Sequence, residues 1–157
     1  MRKGKRFDGV IKRILGLDIG ERYIGVAVSD PLGITAQGVE TFVREGLSRD
    51  LHHLRGLIDR YQVEEIVLGL PVNMDGTRGP QAEKVEELAG ILAQELGLPV
   101  STWDERLSTV AADKLLISAD MSRKKRKAVV NKLAAQMILQ GYLDRLSFCR
   151  SAPPDPE

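Results

Sequence analysis

The stretch Ile14-Leu15-Gly16-Leu17-Asp18-Ile19-Gly20-Glu21-Arg22-Tyr23-Ile24-Gly25-Val26-Ala27-Val28-Ser29-Asp30 constrains this chain more than any other. Two apolar runs flank a Gly-Glu-Arg turn, which is the signature of a β-hairpin. By the two-residue period of a strand, Leu15, Leu17 and Ile19 share one face. Asp18 therefore lies on the other face, with Ile14, Gly16 and Gly20. The second run puts Ile24, Val26 and Val28 on one face and leaves Gly25, Ala27 and Ser29 almost bare on the other. Glycine inside a strand marks a close approach, so the pattern reads as a carboxylate standing over a floor kept low for a ligand. The same residues also fit a hairpin in which Asp18 only caps the turn.

At 157 residues the chain suits a single domain with a sizeable core. Hydrophobic residues at 43% and charged residues at 29% argue against a disordered or fibrous class. The net charge of +1 leaves only local clusters to speak about partners. The lone Cys149 can form no internal disulfide, which implies a reducing, cytoplasmic setting. No apolar run approaches the length of about 18 residues that spans a membrane. The start, Met1-Arg2-Lys3-Gly4-Lys5-Arg6, reads as a basic extension (1–13) and not as a signal peptide.

After the hairpin, Thr35 to Phe42 fits a third strand, and Leu47, Leu51, Leu54, Ile58 and Tyr61 form a helical stripe. Neither His52 nor His53 has the spaced partner that a metal site needs. The continuous run Glu65-Ile66-Val67-Leu68-Gly69-Leu70, stopped by Pro71, predicts a central parallel strand. The turn-rich segment 71–80 follows, then a helix through Ala82, Val85, Ala89, Leu92 and Leu96 with Pro80 in its first turn. A loop between a strand's carboxyl end and a helix start is where open α/β sheets bind anions. Asn73, Asp75, Thr77 and Arg78 are its candidate contacts, with an ordinary surface loop as the alternative. Leu98 to Trp103 gives another strand, ending in Asp104-Glu105-Arg106, and Leu107 to Ile117 resumes helical spacing.

The five consecutive positive charges of Arg123, Lys124, Lys125, Arg126 and Lys127 repel one another unless solvated or paired with a polyanion. Their place beside the last helix favours nucleic acid. That helix carries Val130, Leu133, Ala134, Met137, Ile138 and Gly141 on one face, with Asn131 beside the stripe. Residues 147–157 are expected to form a disordered tail. The order β-β-β-α-β-α-β-α-α predicts a ribonuclease-H-like three-layer α/β domain over 14–146. Its mixed five-stranded sheet would carry helices on both faces.

Hydrolysing a phosphodiester near neutral pH needs an activated water and a place for charge on the leaving oxygen, which paired Mg²⁺ ions supply. Such ions are held by oxygen ligands from separate elements. Asp18 and Glu105 are the best candidates, with Asp104 adjacent; the alternative for Glu105 is a salt bridge to Arg22 or Arg106.

The motifs Asp18-x-Gly20-x-x-x-x-Gly25-x-Ala27-x-Ser29-Asp30, Gly69-Leu70-Pro71-x-Asn73-Met74-Asp75-Gly76-Thr77, Asp104-Glu105-Arg106-Leu107-Ser108-Thr109 and Lys132-x-Ala134-Ala135 resemble those of the YqgF family. Its members are described as Holliday-junction resolvase-like proteins and as nucleases that mature the 5′ end of pre-16S rRNA. The resemblance runs from about Ile14 to Leu146. It implies a ribonuclease-H-like fold and a Mg²⁺ (or Mn²⁺) site of three acidic residues. Asp18 and Glu105 match the first two, and the third, an Asp before Lys132, is here Asn131. An amide oxygen can still ligate a cation but brings no charge, so weaker metal binding and loss of a second ion are expected. Asp104 and Asp30 are the acidic residues open to a compensating role. Arg22, Asn73, Arg78, Arg106, Arg123, Lys124, Lys125, Arg126, Lys127 and Lys132 are the candidate nucleic-acid contacts.

The expected activity is therefore a metal-dependent endonuclease for pre-16S rRNA, acting in the cytoplasm, with the pre-30S particle as a candidate partner. Two alternatives stand beside it: a catalytically weakened nucleic-acid-binding ribosome-assembly protein, and a Holliday junction resolvase. Junction cutting would favour a homodimer over a monomer, because a two-fold substrate suits a two-fold protein. An actin or sugar-kinase ATPase, which shares the core sheet, is expected to rank last because 157 residues leave little room for its second domain.

Overall fold

The hairpin forms where the alternation places it. In the computed structural model, which describes residues 12–107 and 123–151, β1 (Ile14–Ile19) pairs antiparallel with β2 (Tyr23–Ser29) in the register Leu15↔Val28, Leu17↔Val26 and Asp18↔Gly25. The turn closes through the Gly20 N–H, which donates to the Tyr23 carbonyl at 2.9 Å. Asp18 thus belongs to the ladder and not to the turn.

β3 (Ala36–Val43) continues the meander, followed by α1 (Leu47–Tyr61), β4 (Glu65–Leu70), α2 (Pro80–Leu96) and β5 (Val100–Asp104). A 3-10 turn spans Glu105–Leu107, and the last described element is α3 (Arg123–Ser151). The sheet order is β3-β2-β1-β4-β5, with β4 parallel to both β1 and β5. β4 lies inside the sheet between β1 and β5, as its unbroken apolar run requires: Ile66, Val67 and Leu68 are wholly buried. No helix among the described residues is long and apolar enough to cross a membrane.

Local chemistry sets the helix ends. Gly46 and Gly79 precede α1 and α2, Pro80 occupies the first turn of α2, and Gly97 ends that helix at φ 66°. Gln62 ends α1 in the left-handed region, where the Val63 N–H reaches the Ile58 carbonyl at 3.0 Å. Three layers result. Leu51, Leu54 and Leu57 of α1 and Val85 and Leu92 of α2 pack with Leu15, Leu17, Val26 and Leu68 on one face of the sheet. Ala135, Leu139 and Leu143 of α3 pack with Ile14, Ala27 and Val67 on the other. Each large aliphatic side chain taken fully from water contributes about 1.5–3 kcal/mol.

α3 continues beyond Leu146 to Ser151, so the start expected for a disordered tail at 147 is corrected: no Gly or Pro lies between Leu146 and Pro153. The helix expected from Leu107 to Ile117 lies outside the described residues from Ser108 onward, as do residues 1–11 and 152–157.

Candidate metal and nucleic-acid site

One row of positions crosses three strands on the α3 face of the sheet. Gly25 on β2 lies opposite Asp18 on β1. One step beyond the Leu17↔Leu68 pair, Gly69 on β4 flanks Asp18 from the other side. The Asp18 carboxylate, on a residue only 5% exposed, therefore stands between two positions without side chains. What fills the first bare position is protein. A Cβ on Gly25 would fall 1.9 Å from the carbonyl oxygen of Asn131, and one on Gly16 would fall 2.7 Å from Leu139 Cβ. The low floor read as room for a ligand is room for the backbone of α3. Glycine is required at 25 because a helix crosses there at a distance that no side chain allows.

The second bare position receives a functional group. Glu105 begins the 3-10 turn after β5, and its Oε1 lies 2.9 Å from where a Gly69 Cβ would stand, beside Ile138 of α3. Glu105 and Asp18 thus flank the same glycine, and α3 brings residue 131 to the glycine on the far side of Asp18. Three residues separated by 87 and 26 positions in the chain meet on one face, around the carboxyl end of β1. As candidate ligands these residues would offer oxygen, from two carboxylates and an amide. Among the described residues no group of three His, Cys, Asp or Glu is placed to hold a metal ion.

The residues expected to contact nucleic acid divide into three groups. Lys132 is half-buried on α3, with its Cγ over Gly38 of β3. Nearby, the Gln136 side-chain amide donates to the Ala36 carbonyl at 3.1 Å and Gln140 to the Ile34 carbonyl at 2.9 Å, which pins the helix to the meander. A second group has partners within the chain. Asn73 Nδ2 donates to Thr77 Oγ1 at 3.0 Å, Arg78 Nε lies 3.0 Å from Glu86 Oε1, and the Arg106 guanidinium is forked on Asp104. Arg106 holds the Asp104 carboxyl below its usual pKa, against a smaller cost of burial. Arg22, exposed in the hairpin turn, gives its carbonyl to the Arg44 N–H. Third, Arg123 to Lys127 form the first turns of α3, and their side chains lie outside the described residues. With a rise of about 1.5 Å per residue, that stretch begins about 12 Å along the axis from Asn131.

Sequence reasoning missed one polar contact that anchors this face. Tyr142 Oη donates to Glu65 Oε2, joining α3 to the start of β4. Burial, and then the Glu65 carboxylate, raise the phenol above its ordinary pKa.

Against this geometry, a family model described as "RuvX: Holliday junction resolvase" matches residues 12–145. A Clostridium kluyveri protein is 59% identical over 135 residues, covering 86% of this chain and 98% of its own. One from Halothermothrix orenii is 58% identical over 132 residues, covering 84% and 94%. Both carry the name "Putative pre-16S rRNA nuclease". Among solved structures, Thermus thermophilus RuvC in complex with Holliday junction substrate matches at a TM-score of 0.53 and 17% identity, covering 89% of this chain and 96% of that one. A second Thermus thermophilus RuvC structure matches at 0.50 and 13%, covering 86% and 96%. At such identities the likeness carries the fold, a RuvC-like ribonuclease-H architecture.

Proposed function

The chain belongs to the RuvX family, described as Holliday junction resolvase, and on that premise we propose that it is a metal-dependent endonuclease hydrolysing phosphodiester bonds in the 5′-end maturation of pre-16S rRNA. The observation that supports this reading best is the meeting of Asp18 and Glu105 around Gly69, with Asn131 at the neighbouring glycine. Hard oxygen donors of this kind suit Mg²⁺ or Mn²⁺. When bound, such ions lower the pKa of water and stabilise charge on the leaving oxygen.

The chain's own residues then have separate tasks. Asp18 supplies a carboxylate fixed by the ladder, since Leu17 and Ile19 on either side face away from it. Glu105 supplies a second carboxylate from a turn whose position depends on β5. Asn131 adds a neutral oxygen, so the site attracts cations less strongly than three carboxylates would. Arg123 to Lys127 and Lys132 give phosphate affinity that falls with salt, at a slope of about −0.7 to −0.9 per phosphate neutralised. Identity near 59% to proteins named for pre-16S rRNA supports RNA as the substrate over a DNA junction. With rRNA as substrate, the proposal includes a cytoplasmic location and the pre-30S particle as partner.

The neutral Asn131 favours one competing reading, a nucleic-acid-binding assembly protein without cleavage. Purified protein with Mg²⁺ or Mn²⁺, given a 5′-extended 16S precursor and a four-way DNA junction, separates the two. Cleavage of the RNA, lost in Asp18→Asn, is expected. Uncut RNA with both the wild type and Asn131→Asp overturns the nuclease reading.

A further inference from the structure

Arg106 follows Glu105 directly, and its guanidinium turns back along the chain. Nε lies 3.2 and 3.1 Å from the two Asp104 carboxylate oxygens, and Nη2 lies 2.8 Å from Oδ2. The Arg106 backbone N–H also donates to Asp104 Oδ1, at 2.9 Å. These bonds close a ring around the residue between them, Glu105. On the other side Nη1 donates to the Met74 carbonyl at 3.4 Å, and a Cβ on Gly76 would lie 3.7 Å from it. The loop that it touches is itself ordered. The Asn73 N–H donates to the Thr77 carbonyl at 3.0 Å, the Gly76 N–H to the Asn73 carbonyl at 2.9 Å, and the Thr77 N–H to Asp75 Oδ1 at 3.0 Å. Gly76 has φ 90°, a conformation that favours glycine where the loop bends towards the guanidinium.

We propose that the Asp104–Arg106 fork is a positioning device that holds the Glu105 carboxylate over Gly69 and ties the 73–77 loop to it, and that Arg106 is not a phosphate contact. A guanidinium whose planar fork already grips a carboxylate has little left for a second anion. The kinetic arm of the test rests on the nuclease reading, and the exchange arm does not.

The full chain is compared with its Asp104→Asn and Arg106→Lys variants; lysine keeps charge and stem but cannot fork. Exchange of the Asn73, Gly76 and Thr77 amides is expected to accelerate about two- to fivefold in both, the release of a well-formed surface pair. On a 5′-extended RNA, kcat is expected to fall about tenfold with KM within twofold, because a displaced catalytic group costs rate more than binding. Unchanged exchange in both variants overturns the proposal, as does faster exchange with unchanged kcat. It is equally overturned if Asp104→Asn binds the RNA more tightly, since a phosphate contact would be released by that change. If the wild type cuts no RNA, the nuclease reading fails and the exchange rates alone decide the clasp.

Discussion

The two faces of this sheet are built on opposite rules. Towards α1 and α2, β1, β2 and β4 present Leu15, Leu17, Ile24, Val26, Val28, Ile66 and Leu68, an ordinary aliphatic core. Towards α3 the same strands keep Ile14 and Val67 as packed aliphatics but otherwise present Gly16, Asp18, Gly25, Ala27, Ser29 and Gly69, and the helix backbone comes down into the space left over. On the first face stability comes from side-chain volume. On the second, volume has been removed so that a helix can bring residue 131 up to a buried carboxylate. On the proposed reading, stability and chemistry fall on different sides of one layer.

Substitutions on the two faces should accordingly fail in different ways. Asp18→Asn is expected to lower RNA cleavage by about 10³-fold, equivalent to about 4 kcal/mol of barrier, while the denaturation midpoint hardly moves. Steady-state kinetics beside a urea titration would show both. Leu17, one residue away on the opposite face and fully buried, should behave in reverse. Its change to Ala is expected to cost about 2–5 kcal/mol of unfolding free energy, and the molecules that remain folded should cleave normally.

Gly25→Ala tests the close approach itself. The added methyl meets the Asn131 carbonyl oxygen, so α3 must shift, at about 1–3 kcal/mol of stability or somewhat more. Cleavage should fall further than that loss of folded protein explains. If instead the variant is as stable and as active as the wild type, the glycine floor is not what seats the helix.

These contrasts also show what could be read from the residues. Alternation in Ile14 to Ser29 was enough to put Asp18 on the face opposite Leu17, because a strand's period is fixed by its backbone. The unbroken run 65–70 was enough to place β4 inside the sheet, between two parallel neighbours. The occupant of the floor at Gly25 was not legible. A bare position signals a close neighbour without saying whether it is a ligand or a helix more than a hundred residues away. The partner of Arg106 was hidden for a related reason: charge type and neighbourhood point to phosphate, and only the folded turn shows the fork on Asp104. Asn73 and Arg78 likewise have partners, Thr77 and Glu86, that spacing alone did not assign.

Two smaller effects sharpen the contrast. Asn131→Asp adds a charge at the third candidate ligand and, on the proposed reading, is expected to tighten Mn²⁺ binding about tenfold, close to 1.4 kcal/mol. Without metal the extra carboxylate should lower stability slightly, which a thermal melt with and without Mn²⁺ would resolve. Tyr142→Phe removes the hydroxyl that joins α3 to Glu65 and is expected to cost about 1 kcal/mol. Because the folded phenol has a pKa above its ordinary 10.0, the stability linked to it is fully present below that value and is lost as pH rises beyond it. The alkaline decline in stability should therefore be shallower in the Phe variant.

The most direct measurement is a calorimetric titration of the full chain with Mn²⁺ beside Asp18→Asn and Glu105→Gln. The account predicts saturable binding in the wild type that is weakened at least about tenfold by either change alone, since each removes one of two charges from a shared ion. Equal Mn²⁺ affinity in all three proteins would contradict it.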